Sequence, residues 1–436
     1  MKKHWKYTGA LASVAIILSA CSGGDDSQSG TGDTEDGANG DPVEISYWQY
    51  QFDSKVDLMD ELIEEFEDAN PDITVTQTNF PYDQFNERVA TQVPAGEGPD
   101  VINLFNGWVP NYVDQGFLQP LPQESFSHEE IENEFFPFIE SVKLDDEYWT
   151  LPTGVRTLSL FYNVDIFEEY GIDGPPETWD ELVDTAVELT ERTDNGQLEQ
   201  SGMAWEPAQQ GHHWWRDGLL PQAGGQSLSD DAQTVTWNDT DAGLESFEYY
   251  LSFALVHETS ERDFYTEDFI AFQTENAAMN IDGSFRLGTL QTEAPDLNYA
   301  VAPLPVHEEG GELSSPATFW SNGIVAGVED EKLDASVKFL EFLTSEDVME
   351  RWTEEIGELP ARESVAMQEQ FADDELFGPF VEQLPYASTH TFVDESTERD
   401  LFIAAVDRVL LQDMSPEESL DILTEETQAL FDAYWN

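Results

Sequence analysis

Four stretches of the chain set flat aromatic rings beside hydrogen-bonding side chains. They are Tyr47-Trp48-Gln49-Tyr50, Asn106-Gly107-Trp108, Trp205 with His212-His213-Trp214-Trp215-Arg216, and Asp282-Gly283-Ser284-Phe285-Arg286. Rings of this kind are platforms for C–H faces, and the amides, carboxylates and guanidinium groups beside them are partners for hydroxyls. Charge-assisted hydrogen bonds contribute about 1.5–3 kcal/mol each, and a site built for hydroxyls rejects ligands that lack them. This is chemistry for holding a molecule, not for breaking a bond. No Gly-x-Ser-x-Gly elbow, His-Glu-x-x-His helix or P-loop is present. A secreted glycoside hydrolase needs two carboxylates about 5–10 Å apart, and among 91 Asp and Glu no pair stands out. His212 and His213 could begin a metal site, but no third ligand follows at a fitting spacing. Neither metal nor cofactor is expected.

Those residues need elements to aim them. VEISYW (43–48), ITVTQTNF (73–80) and PDVINLF (99–105) read as strands, and 53–70 and about 82–93 as the helices between them. Val56, Met59, Leu62, Ile63 and Phe66 form the apolar face of the first helix, and Asn70-Pro71 stops it. Alternation of this kind predicts a parallel sheet covered by helices. A second block starts near Tyr148. It holds a strand at 158–163, a helix opened by the capping box Thr178/Glu181 and closed at Asn195-Gly196, and strands at 276–282, 297–305 and 322–328. A helix at 331–345 leads into a mostly helical C-terminal third. The fold class is therefore α/β, in two blocks with a cleft between them. Ligands of such blocks sit at the carboxyl ends of strands. That rule selects Trp48 and Gln49 after the first strand, Tyr82 after the second, and Asn106 and Trp108 after the third. Trp48 serves equally well as a core aromatic. Trp214 and Trp215 cannot both be core in a regular segment, so one should face the cleft. Arg156, Arg216, Arg286 and Arg362 draw notice because Lys and Arg total only 17, although each could simply pair with a surface carboxylate.

The formal net charge is −74, yet 40% of residues are hydrophobic and 12% aromatic. That is enough apolar material for a large core, so the chain reads as folded with an acidic surface. Self-repulsion at this charge is severe in dilute buffer, whereas at about 1 M salt the screening length is roughly 3 Å. A halophilic source is expected. Nucleic acid is excluded as a partner, because phosphate binding needs basic patches.

The only cysteine, Cys21, follows Leu18-Ser19-Ala20. Upstream lie Lys2, Lys3 and Lys6 and a short apolar run, the marks of a secretory signal. The Leu-Ser-Ala-Cys segment resembles the lipobox of bacterial lipoproteins, which implies cleavage after residue 20 and a lipid on Cys21. The other reading is an ordinary signal with an incidental cysteine. From Ser22 to Asp41 the chain holds no large apolar residue, as suits a flexible acidic tether.

Taken in order, several segments resemble the family 1 extracellular solute-binding proteins, the sugar-binding subunits of ABC importers. They are Pro99-Asp100-Val101, Leu151-Pro152-Thr153-Gly154 leading to Leu160–Asn163, Pro176–Trp179, Ala223–Gly225, FQTENAAMNIDGSF (272–285), YAVAPLP (299–305), FLEFLTSE (339–346) and Gly357–Arg362. Two departures stand out: Glu275-Asn276 replaces the usual Gly-Lys, and Phe285 after Ser284 stands where Trp is usual. The resemblance implies a periplasmic-binding-protein fold of two α/β lobes joined by three crossings, near Pro152–Val155, Phe319–Trp320 and Trp352–Gly357. The implied layout is signal peptide 1–20, lipidated cysteine and tether 21–42, lobe one 43–153 plus 320–355, and lobe two 154–319 plus 356–436. It also implies ligand contacts at Asp282, Ser284, Phe285 and Arg286, at Phe319 and Trp320, and at Arg362. The implied partners are a mono- or oligosaccharide and the transmembrane permease, with membrane attachment by the lipid and the protein monomeric on the outer face of the cytoplasmic membrane. A polyamine, polyol or glycerol-phosphate ligand on the same fold, or a surface protein without a small ligand, are the rival expectations.

Overall fold

The computed structural model describes residues 42–435, apart from Gln209, Asp230, Asp263 and the side chain of Asp83. The expected signal, Cys21 and tether lie outside the described residues. Strand β1 (Val43–Tyr50) is followed by helix α1 (Asp53–Ala69), whose inner face is Leu58, Met59, Leu62, Ile63 and Phe66. Met59, Leu62, Ile63 and Phe66 are buried as expected, whereas Val56 is half-buried and Lys55 and Leu58 are buried in addition. β2 (Ile73–Phe80) pairs with β1 in parallel register throughout. α2 (Tyr82–Gln92) then leads to β3 (Val101–Phe105), parallel to β1 on its other side.

β4 (Thr150–Asn163) begins well before the expected 158. Pairing of Pro152 with Ser321 and of Gly154 with Trp320 holds this stretch extended in spite of the proline and glycine. Helix α3 (Trp179–Glu188) opens as expected, with the Glu181 N–H donating to Thr178 Oγ1 at 3.3 Å, while the Glu181 carboxylate accepts from the Glu177 N–H at 2.9 Å. The helix stops seven residues short of Asn195. Glu191–Arg192 and Leu198–Gln200 pair as a small hairpin, so Asn195-Gly196 turns a hairpin and does not cap the helix.

Helix α4 (Asp241–Leu255) precedes β5 (Met279–Gly283), β6 (Tyr299–Ala302) and β7 (Ser315–Val325). The last third holds α5 (Asp330–Leu343), α6 (Glu346–Ile356), α7 (Glu395–Gln412) and α8 (Pro416–Trp435). The main sheet runs β5-β4-β7-β3-β1-β2. β7 is antiparallel to β3 and to β4 and carries an irregularity between Trp320 and Ser321. β4 pairs with β7 along its first half and with β5 along its second.

Two apolar cores flank these long strands. The first centres on Tyr47, Phe66 and Phe339, packed edge to face. It also draws in Leu359, Phe380 and Phe392. The second centres on Trp215, Phe247 and Phe402. The architecture is the expected two-lobed α/β fold of periplasmic binding proteins. No helix among the described residues is long and apolar enough to cross a membrane.

Candidate ligand-binding site

A cavity of about 380 Å³ opens where the two cores meet. Its first wall comes from strand ends and a helix start: Phe105 closing β3, Thr318 and Trp320 on β7, and Tyr82 opening α2. Its second wall is the helical turn holding Gln210, His212 and His213, together with Glu395 and Arg399 from the first turns of α7. Arg156, midway along β4, lies between the two walls.

Trp320 is clamped from behind. Tyr50 stacks on it at 3.9 Å between centroids, and Trp108 meets it edge-on at 5.3 Å. Beneath lies a buried charge network. Glu358 Oε1 accepts from Lys55 Nζ at 2.7 Å and from Arg156 Nε at 2.5 Å, and Glu358 Oε2 accepts from Trp352 Nε1 at 2.8 Å. Burial alone would raise the Glu358 pKa, but Arg156 and Lys55 outweigh it and hold it at about 2. Gly357 closes α6 in the left-handed conformation (φ +81°) and so turns Glu358 inward. Lys55 Nζ also lies 5.3 Å from the Tyr50 ring and 5.8 Å from the Trp320 ring, so the network and the aromatic wall support each other.

On the opposite wall Arg399 donates to Glu395 Oε1 at 3.0 Å, one turn apart on α7. Burial and then Glu395 push the Tyr82 hydroxyl up to about 12, so it stays a neutral donor. His212 is 3% exposed; its ring meets the Ala208 backbone, and among the described residues neither nitrogen has a side-chain hydrogen bond of ordinary geometry. Its nearest carboxylate oxygen is Glu395 Oε1 at 3.9 Å. Burial, with His213 and nearby arginines, drives its pKa well below the usual range, so the ring is neutral. The cavity therefore combines one aromatic wall with a ring of polar groups.

Residues 53–350 match the family described as bacterial extracellular solute-binding protein. The chain belongs to that family. Among similar proteins, the maltotriose-binding protein of Pyrococcus abyssi is 22% identical over 79% of this chain and 72% of its own length. The arabinooligosaccharide-binding protein of Halalkalibacterium halodurans is 25% identical over 81% and 78%. Among solved structures, an ABC transporter solute-binding protein from Thermotoga lettingae, bound with alpha-D-tagatose, is 27% identical with a TM-score of 0.75, covering 89% of this chain and all of that one. Family and neighbours are binding proteins rather than enzymes, and their place is extracytoplasmic.

In this solute-binding protein only Tyr82, Arg156 and Trp320 of the expected contact residues line the cavity. Trp108 backs it from one layer behind. Phe285 lies behind Arg156, whose guanidinium sits 4.5 Å from its ring. The others have structural partners. Trp48 packs edge-on against Phe80 at 5.0 Å, and Gln49 hydrogen-bonds Gln77. Asn106 ties β3 to β7 by accepting from the Phe319 N–H, and it donates to Thr389 Oγ1. Phe319 is fully buried against Phe138. Trp205 packs on Tyr250 in the second core.

Trp214 and Trp215 are both core, contrary to expectation. Residues 211–220 are buried on every side and residues 214–219 wind as a π-helix, so no regular polar face exists to turn one ring outward. Arg216 is neutralised by Asp217 at 2.8 Å. Asp282 is held by Arg286 at 2.9 Å, and Ser284 is buried beside it. Arg362 faces away from the cavity: it bonds Glu134 and the Thr344 carbonyl beside a separate cavity of about 410 Å³. No cluster of three metal-ligating side chains occurs among the described residues.

Sequence reasoning missed Lys55, Phe105, Gln210, Thr318, Glu358, Glu395 and Arg399. A cation is scarce in this chain. Lys55 just after a strand end, and Arg399 one turn after Glu395, were the available signals.

Proposed function

We propose that the chain is the substrate-binding subunit of an ABC importer, capturing a carbohydrate between its lobes and delivering it to a membrane permease. The observation that carries this is the cavity itself: Trp320, Tyr82 and Phe105 supply flat faces, and Arg156, His212, Gln210, Glu395 and Arg399 supply hydroxyl partners around about 380 Å³. That volume falls within the usual range for small-molecule sites. The named sugars of the relatives agree with this reading. A polyamine would set its ammonium groups against Arg156 and Arg399, which disfavours it. No bond is broken; the work is capture and hand-over.

Lobe one spans 43–153 and 320–355, and lobe two 154–319 and 356–436. β4 and β7 run through both and act as the hinge, with the segment after α6 as the third crossing. Closure about such strands buries ligand between the walls. Lipidation at Cys21 anchors a monomer to the outer face of the cytoplasmic membrane through the acidic tether. Replacing Cys21 with Ala is expected to abolish lipid labelling and release the protein; a variant that still labels refutes the anchor.

The function is tested by thermal shift and tryptophan fluorescence in molar KCl, with mono- and oligosaccharides, polyols and polyamines. Stabilisation by at least one sugar is expected. Stabilisation by polyamines alone would end the carbohydrate reading.

A further inference from the structure

The cavity is richer in positive and donor groups than a neutral sugar requires. Arg156 and Lys55 share one carboxylate, Glu358, whose other oxygen is taken by Trp352. Arg399 has Glu395, and Arg216 behind His213 has Asp217. Among the lining side chains themselves two cations, Arg156 and Arg399, face one carboxylate, Glu395, in a chain of formal net charge −74. The single lining carboxylate, Glu395, already accepts from Arg399. His212, buried and facing the cavity, has no side-chain hydrogen-bond partner of ordinary geometry among the described residues, its ring meeting only the Ala208 backbone. A buried polar ring left so is costly unless a ligand atom meets it.

We infer that the ligand carries one anionic group, a uronate carboxylate or a sugar phosphate, seated between Arg156, His212 and Arg399. This rests on the carbohydrate reading above and narrows it. Arginine forks fit both carboxylate and phosphate oxygens. The neutral His212 ring donates one N–H to the anion, and its position beside Glu395 suits a hydroxyl bridging the two. The surface charge opposes anion approach in dilute buffer, but beyond contact distance that field is screened at molar salt.

The test is isothermal titration of the mature protein in 2 M KCl with three probe sets: galacturonate and glucuronate oligomers, hexose phosphates, and their neutral counterparts. One charged set is expected to bind at least about tenfold tighter than its neutral counterpart, and which set does so identifies the anion. Arg399→Gln and His212→Gln should each reduce that preference to less than about twofold, read as the ratio of charged to neutral affinity within the same variant; near-ultraviolet circular dichroism checks that both fold. Neutral sugars binding as tightly as charged ones overturns the inference and leaves the carbohydrate reading standing. Binding of no sugar, charged or neutral, overturns both. A charged preference unchanged in both variants overturns the assignment of the anion to these residues.

Discussion

Glu358 is 1% exposed and answers two cations at once. Removing its charge leaves Lys55, fully buried, facing Arg156 at the cavity edge with no carboxylate between them. Breaking a buried pair in this way costs about 3–5 kcal/mol, so Glu358→Gln should lose that much in denaturant unfolding in molar salt. Adding Lys55→Met should restore part of it, because the pair is coupled. A loss under about 1 kcal/mol for Glu358→Gln alone would show that water reaches the network. Asp268 behaves in the opposite way. Burial lifts its pKa from 3.8 to about 8, and Asp282 and Glu206 add to the shift. The folded state therefore favours the protonated acid. Its contribution is full below pH 3.8 and is lost as pH rises through about 8. Asp268→Asn keeps an acceptor for the Phe269 N–H, which donates to Asp268 Oδ1 at 2.8 Å. The variant should lose a few kcal/mol less stability than the parent between pH 5 and pH 9, on the order set by linkage. Parallel pH profiles for the two proteins would contradict this.

Helix α6 ends where the charge network begins, and Gly357 makes that junction. With φ +81° it adopts a backbone conformation that costs a residue with a Cβ about 1–2 kcal/mol. A Cβ there would also meet the Ser284 carbonyl oxygen at 3.3 Å. Gly357→Ala is expected to destabilise by that amount, read as a lowered unfolding midpoint; an unchanged midpoint would mean that the turn relaxes freely. The same reasoning explains β4. Fourteen residues with a proline and a glycine stay extended because β7 covers one half and β5 the other. A strand shared between two cores is suited to the hinge role proposed for it.

At the scale of the molecule, charge dominates. With 91 acidic against 17 basic residues, repulsion between surface carboxylates is opposed chiefly by salt. Many basic side chains are already committed: Arg351 alone meets Glu61, Glu65 and Glu355. The melting temperature should fall by more than roughly 10 °C on passing from 2 M KCl to dilute buffer. Scanning calorimetry at both salts measures it, and equal melting temperatures would remove the halophilic reading.

Much of this was legible before folding. Apolar spacing marked α1, α2, α5 and α8, and alternation marked β1 to β3, because local periodicity and burial there ask for the same conformation. Motif order pointed to the family and with it the two-lobed fold. Composition carried the expectation of a salt requirement. The cavity was not legible in the same way. Trp48, Trp108, Trp205, Trp214, Trp215 and Phe319 all had the right chemistry, yet packing from both sides claimed each of them. Lys55 and Glu358 are 303 positions apart, and Glu395 and Arg399 reach the cleft from the start of α7. Residue type follows from the chain, but which face of a ring stays open depends on what the other lobe lays against it. Only the tertiary contacts decide that, because burial belongs to neighbours in space and not to the residue itself.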